Sequence, residues 1–423
     1  MKKLIYSLAF VLIVHFIYNI NYCPAQWVQV SSIQNYLSLS LNGNNIFAGN
    51  VSGIYLSTNT GINWTQTFLP NYSVECISIN SNNIFTTTDN SGIYRSTNNG
   101  TNWTQTGLNS GMFFSLATKG NNVAAGSYNN GVYLSTNNGL NWTQTALNNK
   151  TVYALHFYGN ALFAGTYDQN NTGAVYISTN YGSNWTQTSL NNQNIYCFDT
   201  TGSKIFAGTA FSVFYSTDNG SNWIQTTLNN GNVFSIALSG DNIFAGTYSN
   251  GIFLSTNNGI NWTAKNQGFV SLPIIEALLI ANNYIFAGTS GFAGTSGESG
   301  YSRTIGYSGS MVETGIWRRP ISDIISSSNN ISTEIPSEFS LMQNYPNPFN
   351  STSNLKFEIS KLENVRITVF DIQGREVKTL VNEKHTPGTY VVTFDGSDLS
   401  SGIYFYKLQT ESYTDTKKML LIK

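Results

Sequence analysis

The stretch from Ser57 to Trp64 reads Ser-Thr-Asn-Thr-Gly-Ile-Asn-Trp, and near copies of it end at Trp103, Trp142, Trp185, Trp223 and Trp262. Counting from Trp64, these tryptophans are 39, 39, 43, 38 and 39 residues apart. A period near forty, with short β runs on either side of each copy, is the signature of a ring of repeated sheets. Each copy has the chemistry of a polar turn. Its third residue (Asn59, Asn98, Asn137, Asn180, Asp218 and Asn257 in turn) can accept hydrogen bonds from the turn's own backbone. The glycine supplies positive φ, and the tryptophan carries a large ring to bury.

The flanks fix the number of units. A strand-like segment of the type Asn242–Thr247 recurs seven times, opening at Ile46, Ile84, Val123, Leu162, Ile205, Ile243 and Ile285. The following strand also recurs seven times, but the tryptophan turn only six. Trp27 supplies the missing member, 37 residues before Trp64. The first strand of the mature chain is therefore expected to form the outer edge of the last unit, which closes the ring and hides two sheet edges. At one register of the first strand of each unit stand Ser38, Cys76, Ser115, Ala154, Cys197, Ser235 and Ala277. All are small, as crowding near an axis requires. The expected fold is all-β: a seven-bladed β-propeller followed by a small immunoglobulin-like β-sandwich.

Composition narrows the setting. A net charge of −1 gives no reason to expect nucleic acid or an anionic membrane as partner. Charged residues make up 10 % and aromatics 14 %, which suits an extracellular β protein and not a disordered chain. Residues 1–25 read as a secretory signal peptide: Lys2 and Lys3, an apolar run from Leu4 to Ile17, and a small-residue exit at Cys23-Pro24-Ala25. No transmembrane segment is expected in the mature chain. Cys76 and Cys197 fall nearly opposite one another in the ring and are expected to be buried thiols that do not bridge. The scattered histidines and the absence of metal-ligand spacings point to no metal and no cofactor.

The turn resembles the Asp-box of sialidases, sortilin-type receptors and photosystem II assembly propellers, with Asp218 alone keeping the acid. The resemblance implies that the boxes are structural devices. A sialidase would also need an arginine cluster, and only Arg95, Arg303, Arg318 and Arg319 precede the linker. The end of the chain closely resembles the type A C-terminal sorting domain of type IX secretion cargo. The matching residues are Asn344-Tyr345-Pro346-Asn347-Pro348-Phe349, Val369 to Arg375, Gly388-Thr389-Tyr390, Leu399 to Tyr404 and Lys417 to Lys423. This implies export across the outer membrane of a Gram-negative cell by the type IX secretion machinery, then surface attachment or release. The expected divisions are 1–25 signal peptide, 26–320 propeller, 321–338 linker and 339–423 sorting domain.

Ligands of propellers usually meet the channel mouth opposite the boxes. On that face Tyr128, Tyr167 and Tyr248 share one register and suit stacking on a sugar or a protein loop; packing between blades is the competing explanation. His156 and Asp199 share a register in neighbouring blades and could form a general-base pair or a structural one. Glu75 and Glu276 share another, with blade 1 between them. An insertion at 290–314 overhangs the same face. The expected role is binding of a glycan or surface protein. A secreted glycan hydrolase and a purely structural propeller stand as alternatives.

Overall fold

The computed structural model describes residues 26–33, 35–67, 72–229, 231–291, 314–321, 324, 329–332, 336–397 and 399–423. Residues 1–25, expected as a signal peptide, and nearly all of the 290–314 insertion lie outside them. The described strands form nine four-stranded antiparallel sheets. Seven belong to the repeats and two to the tail.

Each repeat is one blade, its strands A to D running from the axis outwards. Strand A of blades 1 to 7 spans Tyr36–Asn42, Val74–Asn80, Phe113–Lys119, Thr151–Tyr158, Ile195–Thr201, Val233–Ser239 and Ile274–Ala281. Blade 7 takes its strand D from the other end of the repeat array: Val28–Ser31 pairs antiparallel with Gly315–Pro320. The ring therefore closes as the tryptophan count requires. The cores confirm it. Seven separate apolar clusters each join residues of two neighbouring blades, including one between blades 6 and 7 and one between blades 7 and 1.

Two repeated residues let the blades approach. The glycine near the end of strand B faces the next blade's strand A. A Cβ on Gly165 would lie 2.6 Å from Ile195 Cγ2, and one on Gly208 2.6 Å from the Val233 carbonyl. The small residues of strand A also bond: Ser115 and Ser235 donate to the carbonyls of Val152 and Ile275 in the next blade, and Ser38 accepts from the Ile77 N–H. Serine is thus selected for a hydroxyl as well as for size. Cys197 donates weakly to Val233 O at 3.8 Å, and neither Cys197 nor Cys76 forms a disulfide. Both are half-buried, less enclosed than the sequence suggested.

The tail is a sandwich of two sheets around one core that includes Phe349, Phe357, Phe394, Tyr406, Met419 and Leu421. The stretch expected as a linker is structured at both ends. Ile324 is fully buried in the cluster of blades 6 and 7, because it is one of the few large apolar side chains between the two folded parts. Asn329–Ser332 adds an edge strand to the tail by pairing with Gly388–Asp395.

Candidate functional site at the channel mouth

In all seven blades the pairing of strands A and B slips near the start of strand A. A bulge leaves a residue out of the ladder and re-aims its side chain, a device common at rims and sites. The residues left out are Leu37, Glu75 with Cys76, Phe114, Tyr153, Tyr196, Phe234 and Glu276. One register, repeated by the ring, thereby places a chosen side chain from every blade at one end of the channel. Strand A begins where strand B ends, whereas the boxes follow strand C opposite the start of strand B, as Ile46 paired with Ser57 shows. The bulges and the boxes therefore lie at opposite ends.

Four of the bulge residues, in blades 3 to 6, form a continuous aromatic arc. Phe114 stacks on Tyr153 with ring centroids 4.5 Å apart, Tyr153 meets Tyr196 edge-on at 6.3 Å, and Tyr196 meets Phe234 at 4.9 Å. The three tyrosines singled out in the sequence border this arc. Tyr128 contacts Phe114, Tyr167 lies 4.7 Å from Tyr153, and Tyr248 lies 5.6 Å from Phe234. Tyr128 and Tyr248 are held by their own N–H groups, which donate to Met112 and Asn232 carbonyls at the head of strand A in the same blade. Their rings pack on the bulge aromatics and remain partly exposed. Nearby, Phe211 in the turn after strand B of blade 5 is 55 % exposed.

The sequence reading missed Phe114, Tyr153, Tyr196 and Phe234, although the signal was present. They occupy the register in which Glu75 and Glu276 were noticed. The two glutamates flank the buried Leu37 and are themselves 5 % and 4 % exposed. Ser73 donates to Glu75 Oε1 at 3.2 Å, and Ser290 to Glu276 Oε1 at 2.8 Å. Burial, reinforced by the Glu276 charge, pushes the Tyr248 hydroxyl pKa up.

Deeper along strand A, His156 and Asp199 come together through a third residue. His156 Nε2 lies 3.2 Å from Thr200 Oγ1, and the Thr200 N–H donates to Asp199 Oδ1 at 2.8 Å. Burial lowers the His156 pKa to about 4 and raises that of Asp199 to about 6, the latter opposed by backbone donation from Thr200 and Leu238. Threonine thus occupies the place that a carboxylate would take on the imidazole in a general-base pair.

The boxes are closed turns. In blade 3, Ser135 donates to Asn137 Oδ1 and accepts from the Gly139 N–H, Asn137 Oδ1 accepts from Asn141, and the Trp142 indole donates to Gly139 O. The serine, asparagine and glycine bonds recur in the other boxes. Trp64, Trp103 and Trp262 repeat the indole bond, whereas Trp185 donates to Thr145 Oγ1. The indole N–H of the half-buried Trp223 is enclosed without a partner. Asp218 takes an additional bond on its second oxygen from the Asn222 side chain, and hydrogen bonding led by the Asn222 N–H lowers its pKa to about 2. In each box the serine hydroxyl and the oxygen of the asparagine or aspartate two residues on are spent on the turn itself.

In the tail, Asn344 and Phe349 are buried and fasten the motif they enclose. Asn344 donates to Ser353 and Pro346, and Phe349 exchanges backbone bonds with Leu420 and Ile422. Between them Tyr345, Pro346, Asn347 and Pro348 are exposed, with both X–Pro bonds cis.

Fold and tail together define a class: a seven-bladed propeller carried as cargo for export. Residues 343–423 match the family model of a secretion system C-terminal sorting domain. The chain is therefore secreted or displayed at the cell surface by the type IX machinery of a Gram-negative bacterium of the Bacteroidetes type. Among solved structures it resembles YCF48 bound to D1 peptide, with TM-score 0.52 and 14 % identity over 71 % of this chain and 98 % of that one. YCF48 from Cyanidioschyzon merolae gives 0.51 and 12 % over 70 % and 98 %. PorZ, a surface component of the type IX secretion system of Porphyromonas gingivalis, gives 0.51 and 11 % over 92 % and 60 %. These likenesses concern the fold. No curated protein matches the sequence.

Proposed function

We propose that this protein is an exported binding module, with residues 26–324 as the binding propeller and the remainder serving export. Its ligand, a glycan or another surface protein, rests on the aromatic arc at the channel mouth. The observation that supports this reading is the unbroken run of ring contacts from Tyr128 through Phe114, Tyr153, Tyr196 and Phe234 to Tyr248. Such rings offer large contact area at low conformational cost. A hydrolytic reading has less support, since His156 is bonded to a threonine hydroxyl. The test is a glycan and surface-protein screen with the whole chain and its Tyr153→Ala/Tyr196→Ala variant. Loss of the selected ligand in the variant, at unchanged melting temperature, supports the reading. Retention places the site elsewhere.

A further inference from the structure

One sheet of the tail runs in the order Glu376–His385, Glu363–Phe370, Gly402–Gln409 and Thr414–Leu421. Successive side chains alternate between its two faces. Val369, Tyr404, Tyr406, Met419 and Leu421 turn into the core. On the outer face Phe370 lies opposite Phe405, and Ile403 lies opposite Leu420. Ile422 continues that face past the last strand, and Ile372 stands in the turn after Phe370 at the same end. None of these six belongs to the core; Ile372 is 69 % exposed, Ile422 50 % and Ile403 37 %. The other end of the face is polar, with Thr368 opposite Lys407 and Arg366 opposite Gln409. Scattered apolar side chains on a surface are ordinary, but six at one end of three adjoining strands form a patch.

We propose that this apolar end of the sheet is where the tail is held by a protein of the export machinery, whose own surface is apolar at the centre and carries carboxylates at its rim. The inference rests on the export role of the tail and is independent of the propeller's ligand. Two observations define the partner's chemistry. Lys418 stands opposite Phe405, and Lys407 follows Phe405 by two residues on the same face. Among the described residues neither ammonium is paired with a carboxylate. The carboxylates beside the patch are matched already, Glu376 by Arg366 at 2.9 Å and Asp371 by Arg375 at 2.7 Å. The unmatched charge there is positive, so its complement is acidic. The edge of the last strand, moreover, is closed. The Phe349 N–H donates to Leu420 O, the Leu420 N–H to Asn347 Oδ1, and the Ile422 N–H to Phe349 O. A partner therefore cannot add a strand at that edge and has to read the face. Two lysines also fall short of the cluster of about four to eight by which a protein recognises an anionic lipid surface.

The experiment follows the full chain in the bacterium that exports it, by immunoblots of cell interior, surface and medium, beside melting of the purified protein. Ile403→Ser/Ile422→Ser removes apolar contact at exposed positions. It should lower the exported fraction about ten-fold or more at an unchanged melting temperature. Lys407→Glu/Lys418→Glu keeps every apolar side chain and reverses the charge, and it should lower export as well. Gln409→Ala/Thr414→Ala, at the polar end of the same face, should leave export intact. If the isoleucine variant fails to fold, the lysine pair decides, and its normal export overturns the proposal. Normal export of a folded isoleucine variant also overturns it, whereas the export role of the tail falls only if deleting the tail changes nothing. Equal loss in the polar-end variant overturns the assignment to the apolar end. Sedimentation of the purified chain, alone and with vesicles of anionic phospholipid, tests the other occupants. A dimer or a vesicle complex that the isoleucine variant abolishes while export stays normal assigns the patch to a second copy or to lipid, and overturns the proposal.

Discussion

Trp27 donates its indole N–H to the carbonyl of Lys265 at 2.6 Å, across 238 residues of chain. Its own N–H donates to Gln267 O, and its ring stacks on Phe269, which in turn meets Trp317 edge-on. The first strand of the ring is thereby fastened to blades 6 and 7 at once.

Trp27→Ala should destabilise the propeller by about 3–5 kcal/mol, the usual cost of removing a buried tryptophan. Removing residues 26–31 should do more, since it also bares the edge of Gly315–Pro320. Thermal or denaturant melting measures both. An unchanged midpoint would mean that the ring does not depend on this strand.

Gly165→Ala tests the spacing between blades. The added methyl would sit 2.6 Å from Ile195 Cγ2 and 2.7 Å from its Cβ, so blades 4 and 5 must part. A loss of about 1–3 kcal/mol is expected. Blade 2 shows what a side chain requires there. It has Thr87, and its bulge takes two residues, with the Cys76 N–H donating to Thr87 Oγ1. A neutral outcome for Gly165→Ala would show that the contact yields freely.

Asp199 gives a pH signature. Its folded pKa of about 6 lies above the ordinary 3.8, so its stabilising contribution is complete below the lower value and is lost as pH rises through 6. His156 has the opposite sign. Its pKa falls from 6.5 to about 4, so its contribution is present above 6.5 and lost as pH falls through 4. Asp199→Asn removes only the first effect. It should raise the melting temperature above about pH 7 and change little below about pH 4. A difference that is constant with pH would contradict the buried-carboxylate account.

Deleting the tail should keep the protein from appearing outside the cell while the propeller still melts cooperatively. The cut belongs after Ile324, which is buried in the blade 6–7 cluster, and before Asn329, which pairs with the tail. Immunoblots of cell surface and medium, beside a melt of the purified propeller, give the answer. Normal export of the shortened chain would mean that the match at 343–423 does not direct it.

The ring was legible in the sequence because each blade repeats a turn whose chemistry is local. Ser135, Asn137, Gly139 and Trp142 satisfy one another within eight residues, so their spacing alone announces the turn and its count. Trp27 could be placed by arithmetic for the same reason, and the sorting motifs by their residues. The aromatic arc could not be read in this way. Phe114, Tyr153, Tyr196 and Phe234 lie about forty residues apart, inside strands where any large apolar side chain could belong to the core. What turns them toward the mouth is a slip in the pairing of strands A and B, and pairing register is a property of two strands, not of one. The bond between His156 and Thr200 likewise exists only once neighbouring blades stand side by side.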